Sequence, residues 1–77
     1  MDEALLKTTV MQALSLSERE YRADLKIGDV ESWDSLGHLG LISAIEAAFD
    51  VQIPMDVIPE LNTLERVRQG LESGTFD

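Results

Sequence analysis

Trp33-Asp34-Ser35-Leu36-Gly37-His38-Leu39 leads into a run to Phe49 that holds no proline and is rich in Leu, Ile and Ala. This stretch decides the fold. Asp34 and Ser35 are both good helix N-caps, because a short side-chain oxygen accepts from the free amides of a first turn. Leu36 to Phe49 then predicts a helix of about fourteen residues. A serine hydroxyl is thereby placed at the mouth of a helix, beside a carboxylate. A helix end of this kind carries partial positive charge and free N–H groups, which favour a phosphate or a phosphodiester.

Working outward, residues 2–14 read as an earlier helix. Asp2 and Glu3 suit its positive end, and Leu5, Leu6, Thr9, Val10, Ala13 and Leu14 recur at three- and four-residue intervals to make one apolar face. Ser17 with Glu20 fits a capping box, which predicts a short helical turn over residues 18–22. Residues 23–34 form a long connection with a turn signal at Gly28-Asp29, and Leu25, Ile27, Val30 and Trp33 are spaced along it as anchors. After the central helix, Val51-Gln52-Ile53 is extended before Pro54. Met55 to Ile58 predicts one helical turn before Pro59. Asn62 offers an N-cap, with Glu65 closing a capping box, for a last helix of about nine residues carried by Leu64, Val67, Arg68 and Leu71. Gly70 weakens its end, and residues 73–77 read as a frayed tail. Within the central helix, Leu41, Ile45 and Phe49 follow an i, i+4, i+8 row that belongs in the core, with Ile42 beside them. Leu36, Leu39 and Ser43 lie on another side.

The sum is an all-α fold. It is a small antiparallel helical bundle of three main helices plus one short helix, in a single domain over residues 1–77 with its core from about 3 to 72. Fifteen acidic side chains against six basic ones give a net charge of −9. That charge disfavours nucleic acid and anionic membrane, and favours partners with basic docking patches. No cysteine is present, so there is no disulfide, thiolate nucleophile or Cys-based metal site. No signal peptide and no apolar run of about 18 residues is found, which predicts a soluble, cytoplasmic monomer.

Asp34-Ser35-Leu36, followed by Leu39, Leu41, Ile45-Glu46 and Phe49, resembles the phosphopantetheine attachment site of acyl carrier proteins. The resemblance runs over about residues 3–72 in length and helix order. The wording Trp-Asp-Ser-Leu-Gly-His-Leu is similar to the discrete carriers of polyketide and specialised acyl pathways. It implies an acyl-carrier-protein-like bundle that is not itself an enzyme but the substrate of a phosphopantetheinyl transferase. Ser35 would attack the phosphate of coenzyme A and become a phosphodiester to 4′-phosphopantetheine, whose thiol carries acyl groups as thioesters. Asp34 would lie beside the metal and basic side chains of the docked transferase. Leu36 and Leu39 would form an apolar strip for partner enzymes. The chain departs from housekeeping fatty-acid carriers in one respect: after Asp34 the central helix has Glu46 as its only acid, and Gly37 and Gly40 interrupt it. This points to a dedicated set of partners.

Without the resemblance, a serine ahead of an apolar run is most often only a cap. Asp34, Ser35 and His38 do not make a hydrolase triad, because Asp34 is not placed to orient His38 from behind and so short a chain has no evident cleft. A lone His38 reads as a solvated surface residue, and no second His or Cys is present to share a metal with it. Two classes of function therefore stand: a carrier modified at Ser35 (acyl, or peptidyl or D-alanyl), and an unmodified acidic helical module that binds a basic partner.

Overall fold

The computed structural model describes residues 1–76. Three helices follow in order: α1 (Glu3–Leu14), α2 (Ser35–Phe49) and α3 (Leu64–Ser73), with a 3-10 turn at Ile58–Glu60 between the last two. Among the described residues there is no strand, only an isolated antiparallel bridge between Lys26 and Thr63. No helix among them is long and apolar enough to cross a membrane.

Each helix is started by a side-chain cap of the kind its sequence offers. Asp2 accepts from the Leu5 amide at 3.1 Å, Asp34 from the Gly37 amide at 2.7 Å, and Thr63 from the Arg66 amide at 3.1 Å. The last is a correction, since Asn62 was the expected cap. Asn62 is drawn into the bridge instead. Its carbonyl accepts from the Ile27 amide at 2.9 Å, and the Leu64 amide donates to the Leu25 carbonyl at 2.9 Å. Pairing with the long connection thus sets the start of α3 one residue later than local sequence predicts.

The core is one cluster. Leu6, Val10 and Leu14 of α1 meet Leu41, Ile42 and Ile45 of α2 and Leu64 and Val67 of α3, with Leu25 and Trp33 of the connection inserted between them. Leu41 and Ile45 are fully buried as expected, but Phe49 is only half-buried, because it lies in the last turn of α2 and packs against the edge of the cluster. Thr9 hides its hydroxyl by donating to the Leu5 carbonyl at 2.7 Å. Arg68 keeps its stem against the bundle and its guanidinium on Glu3 at 2.6 Å and on Glu65 at 3.3 Å. The hydrogen bond to Glu3 holds the arginine above its ordinary pKa, and burial raises that of Tyr21 nearby.

Several short segments differ from expectation. Residues 18–20 make a turn and no helix. The Glu20 carboxylate does accept from the Ser17 amide at 3.0 Å, which lowers its pKa. The helical turn expected over 55–58 forms instead as a non-helical turn followed by the 3-10 turn. Pro59 sits inside that turn, where a missing N–H costs nothing. The tail is not frayed through residue 76. Gly74 takes a left-handed conformation (φ 78°) that ends α3, the amides of Gly74 and Thr75 both donate to the Gly70 carbonyl, and Phe76 folds back, buried, onto Gly70. Gly70 is thus the seat of an aromatic ring: a Cβ there would run into it.

Candidate functional site

Ser35 is the first residue of α2, and Asp34, not Ser35, is its cap. The division of labour follows from the backbone. Asp34 is extended, which lets its Oδ1 reach the Gly37 amide, while the Asp34 carbonyl accepts from the His38 amide at 2.8 Å. None of these bonds uses the Ser35 hydroxyl, and the residue is exposed. The Asp34 cap engages one carboxylate oxygen and leaves Oδ2 out of the bond.

Leu36 and Leu39 are exposed to 78% and 55%, against complete burial of Leu41 and Ile45 on the other side of the same helix. The apolar strip expected beside the serine is therefore at the surface. One residue extends it. Ile27 was expected as an anchor of the connection but lies at the surface, and it joins Ser35, His38, Leu39, Ile58 and Pro59 in lining a shallow cleft at the mouth of α2. Met55 is the most exposed large apolar side chain, at 87%. Its position in a segment read as a helical turn hid it from sequence reasoning. The one signal available was Pro54 beside Pro59, which makes a regular element short.

His38 is a correction. It is buried, not solvated. The Trp33 indole N–H donates to its Nδ1 at 2.9 Å, and its Nε2 lies 2.8 Å from the Ile58 carbonyl oxygen. The reason is geometric: residue 38 lies one turn into α2 on the side that faces the connection, where Trp33 fills the core. No sequence period marks that contact, because it joins a helix to a loop.

Gly37 is also decided by the connection. A Cβ on it would meet the Ser32 carbonyl oxygen, whereas one on Gly40 would find nothing within 4 Å. So one of the two helix glycines admits the chain's own backbone, and the other faces open space. Among the described residues no group of three His, Cys, Asp or Glu side chains is arranged to hold a metal ion. Chemically, the site offers an exposed hydroxyl, an adjacent carboxylate and an apolar surround on a capped helix start. Both ring nitrogens of His38 are engaged elsewhere, so His38 is not a base for the serine. Scanned against protein-family models, curated proteins and solved structures, this chain matches none of them.

Proposed function

We propose that the chain is an acyl carrier protein, with Ser35 as the attachment point of a 4′-phosphopantetheine arm. The observation that carries the reading is the Ser35 turn. The serine is exposed at the first position of α2, the neighbouring Asp34 has taken over the capping duty that would otherwise explain it, and Leu36 next to it and Leu39 one turn on both stand exposed. An unpartnered, outward hydroxyl fits a group that another enzyme modifies and not a nucleophile activated within this chain. In the modification, Ser35 Oγ forms a bond to the phosphorus of coenzyme A, the bond from that phosphorus to the adenosine bisphosphate breaks, and the transferase removes the serine proton. The net charge of −9 suits partners with basic docking patches. The loading enzymes choose the cargo, so acyl, peptidyl and D-alanyl carriage share this one site.

The test is to incubate the purified chain with coenzyme A and a promiscuous phosphopantetheinyl transferase and to weigh it. One phosphopantetheinyl addition is expected. An unchanged mass, with a control carrier loaded in the same tube, leaves the acidic interaction module as the better reading.

The leucine strip has its own test. Leu39→Ala is expected to move stability by no more than about 0.5 kcal/mol, as for other surface changes, because more than half of the side chain already meets water. It should slow loading, since an exposed apolar group next to the modified serine is best accounted for by regular contact with a partner. A melt lowered as far as that of a core variant, with loading unchanged, would show Leu39 to be ordinary core.

A further inference from the structure

We propose that His38 is a positioning residue for Ser35, acting through Trp33; this rests on the reading of Ser35 as the modified residue. Trp33 is the only tryptophan of the chain and His38 the only histidine, and they stand two residues before and three residues after the serine. Their rings lie 6.1 Å apart at 21°, joined by the 2.9 Å bond from the indole N–H to Nδ1. The tautomer follows from the second bond. A carbonyl oxygen has no proton to give, so the Ile58 carbonyl requires that Nε2 carry one, which leaves the Nδ1 lone pair free for the indole.

Burying an imidazole is unfavourable compared with burying a leucine of similar bulk unless its polar atoms are satisfied. Here both are, and by partners on different elements: one in the connection before α2 and one in the 3-10 turn. The histidine therefore contributes direction, which an aliphatic side chain in the same space would lack. What it directs is the turn around Ser35. Besides this pair, residues 33–37 are held by the burial of Trp33 and its backbone bonds to Val30 and Gly28, by the exposed Asp34–Gly37 cap and the backbone bond from His38 to Asp34, and by the close seat of Gly37 on Ser32; of these, only the Trp33–His38 bond joins the indole itself to α2. With the Trp33–His38 bond closed, Asp34, Ser35, Leu36 and Leu39 keep fixed relative positions. A docking enzyme then meets them preformed. With it open, only a fraction of molecules present them correctly, and apparent affinity falls by that fraction, while chemistry in the docked complex, which the transferase performs, proceeds at its former rate.

Two substitutions separate the ends of the imidazole. His38→Gln can keep a donor near the Nε2 position but has no acceptor at Nδ1. His38→Asn places an acceptor oxygen where Nδ1 lies. Loading kinetics are measured well below the melting range, together with the single indole N–H resonance of the protein. For His38→Gln the expected result is a KM for the carrier raised by about 2- to 10-fold, the range spanned by the net worth of one hydrogen bond, with kcat unchanged and the indole resonance moved toward that of a free indole. Trp33→Phe, which keeps a ring and deletes the donor, is expected to raise KM similarly, and His38→Asn to restore most of the loss together with the indole resonance. A His38→Gln protein with a lower melting temperature but an unchanged KM, or a raised KM that His38→Asn does not recover, overturns the positioning role and leaves His38 as a packing residue. A natural chain that takes no phosphopantetheine overturns the Ser35 reading itself, and this inference with it.

Discussion

A Ser35→Ala chain is expected to take no phosphopantetheine at all while melting almost like the natural protein. The hydroxyl is the proposed nucleophile, and no neighbouring serine or threonine occupies an equivalent helix start: Thr63 spends its oxygen on the Arg66 amide. The stability side of the prediction comes from the structure. A serine that caps a helix costs about 1 kcal/mol when replaced by alanine, but here Asp34 is the cap and Ser35 is already within α2. Alanine is the best helix former, so the change should stay within about 0.5 kcal/mol. Asp34→Ala is the converse, losing about 0.5–2 kcal/mol with the cap and weakening loading through the turn it holds. Intact-mass measurement and urea melts on the two variants check both. A mass addition on Ser35→Ala would move the attachment site elsewhere, and a large loss of stability would mean that Ser35 is a structural residue.

The helices, and the place of Ser35 at the start of one, were legible because their signals are local. The four-residue spacing of Leu6, Val10 and Leu14, and of Leu41 and Ile45, is a property of one helix meeting one core, and it identified buried residues on both. The same periodicity put Leu36 and Leu39 on an outward face. Three of the places where reading failed depend on a second segment. Thr63 caps α3 because residues 25–27 pair with 62–64. Phe76 is buried because Gly70 leaves room for its ring. His38 is buried because Trp33 and Ile58, from two other segments, supply its hydrogen bonds. A polar residue and a terminal one are ordinarily solvated, and nothing in their own neighbourhood says otherwise. Phe49 shows the opposite limit: its i, i+4, i+8 register is right, yet the helix runs past the core before reaching it.

Gly37 and Gly40 bring these local and tertiary arguments into direct opposition, and replacing each by alanine is expected to move stability in opposite directions. On helix propensity alone both changes should help, by about 0.5–1 kcal/mol each. Gly40→Ala should do so, because the added methyl meets nothing within 4 Å on an exposed face. Gly37→Ala should not. Its methyl would fall on the Ser32 carbonyl oxygen, 3.1 Å from the carbonyl carbon and 3.3 Å from Asp34 Oδ1. The obstacle is backbone and cannot rotate aside as a side chain would, so an overpacking penalty of about 1–3 kcal/mol is expected to outweigh the propensity gain. Relief requires Ser32 to shift, and Ser32 is bonded in sequence to the fully buried Trp33. The displacement then reaches the Asp34 cap and the presentation of Ser35. Loading of Gly37→Ala should be slower even where the protein is fully folded, while Gly40→Ala should load at the natural rate. Urea melts and loading rates for the pair decide the matter. Two glycine variants stabilised alike would show that the connection does not press on α2 and that the Ser35 turn is set by its helix alone.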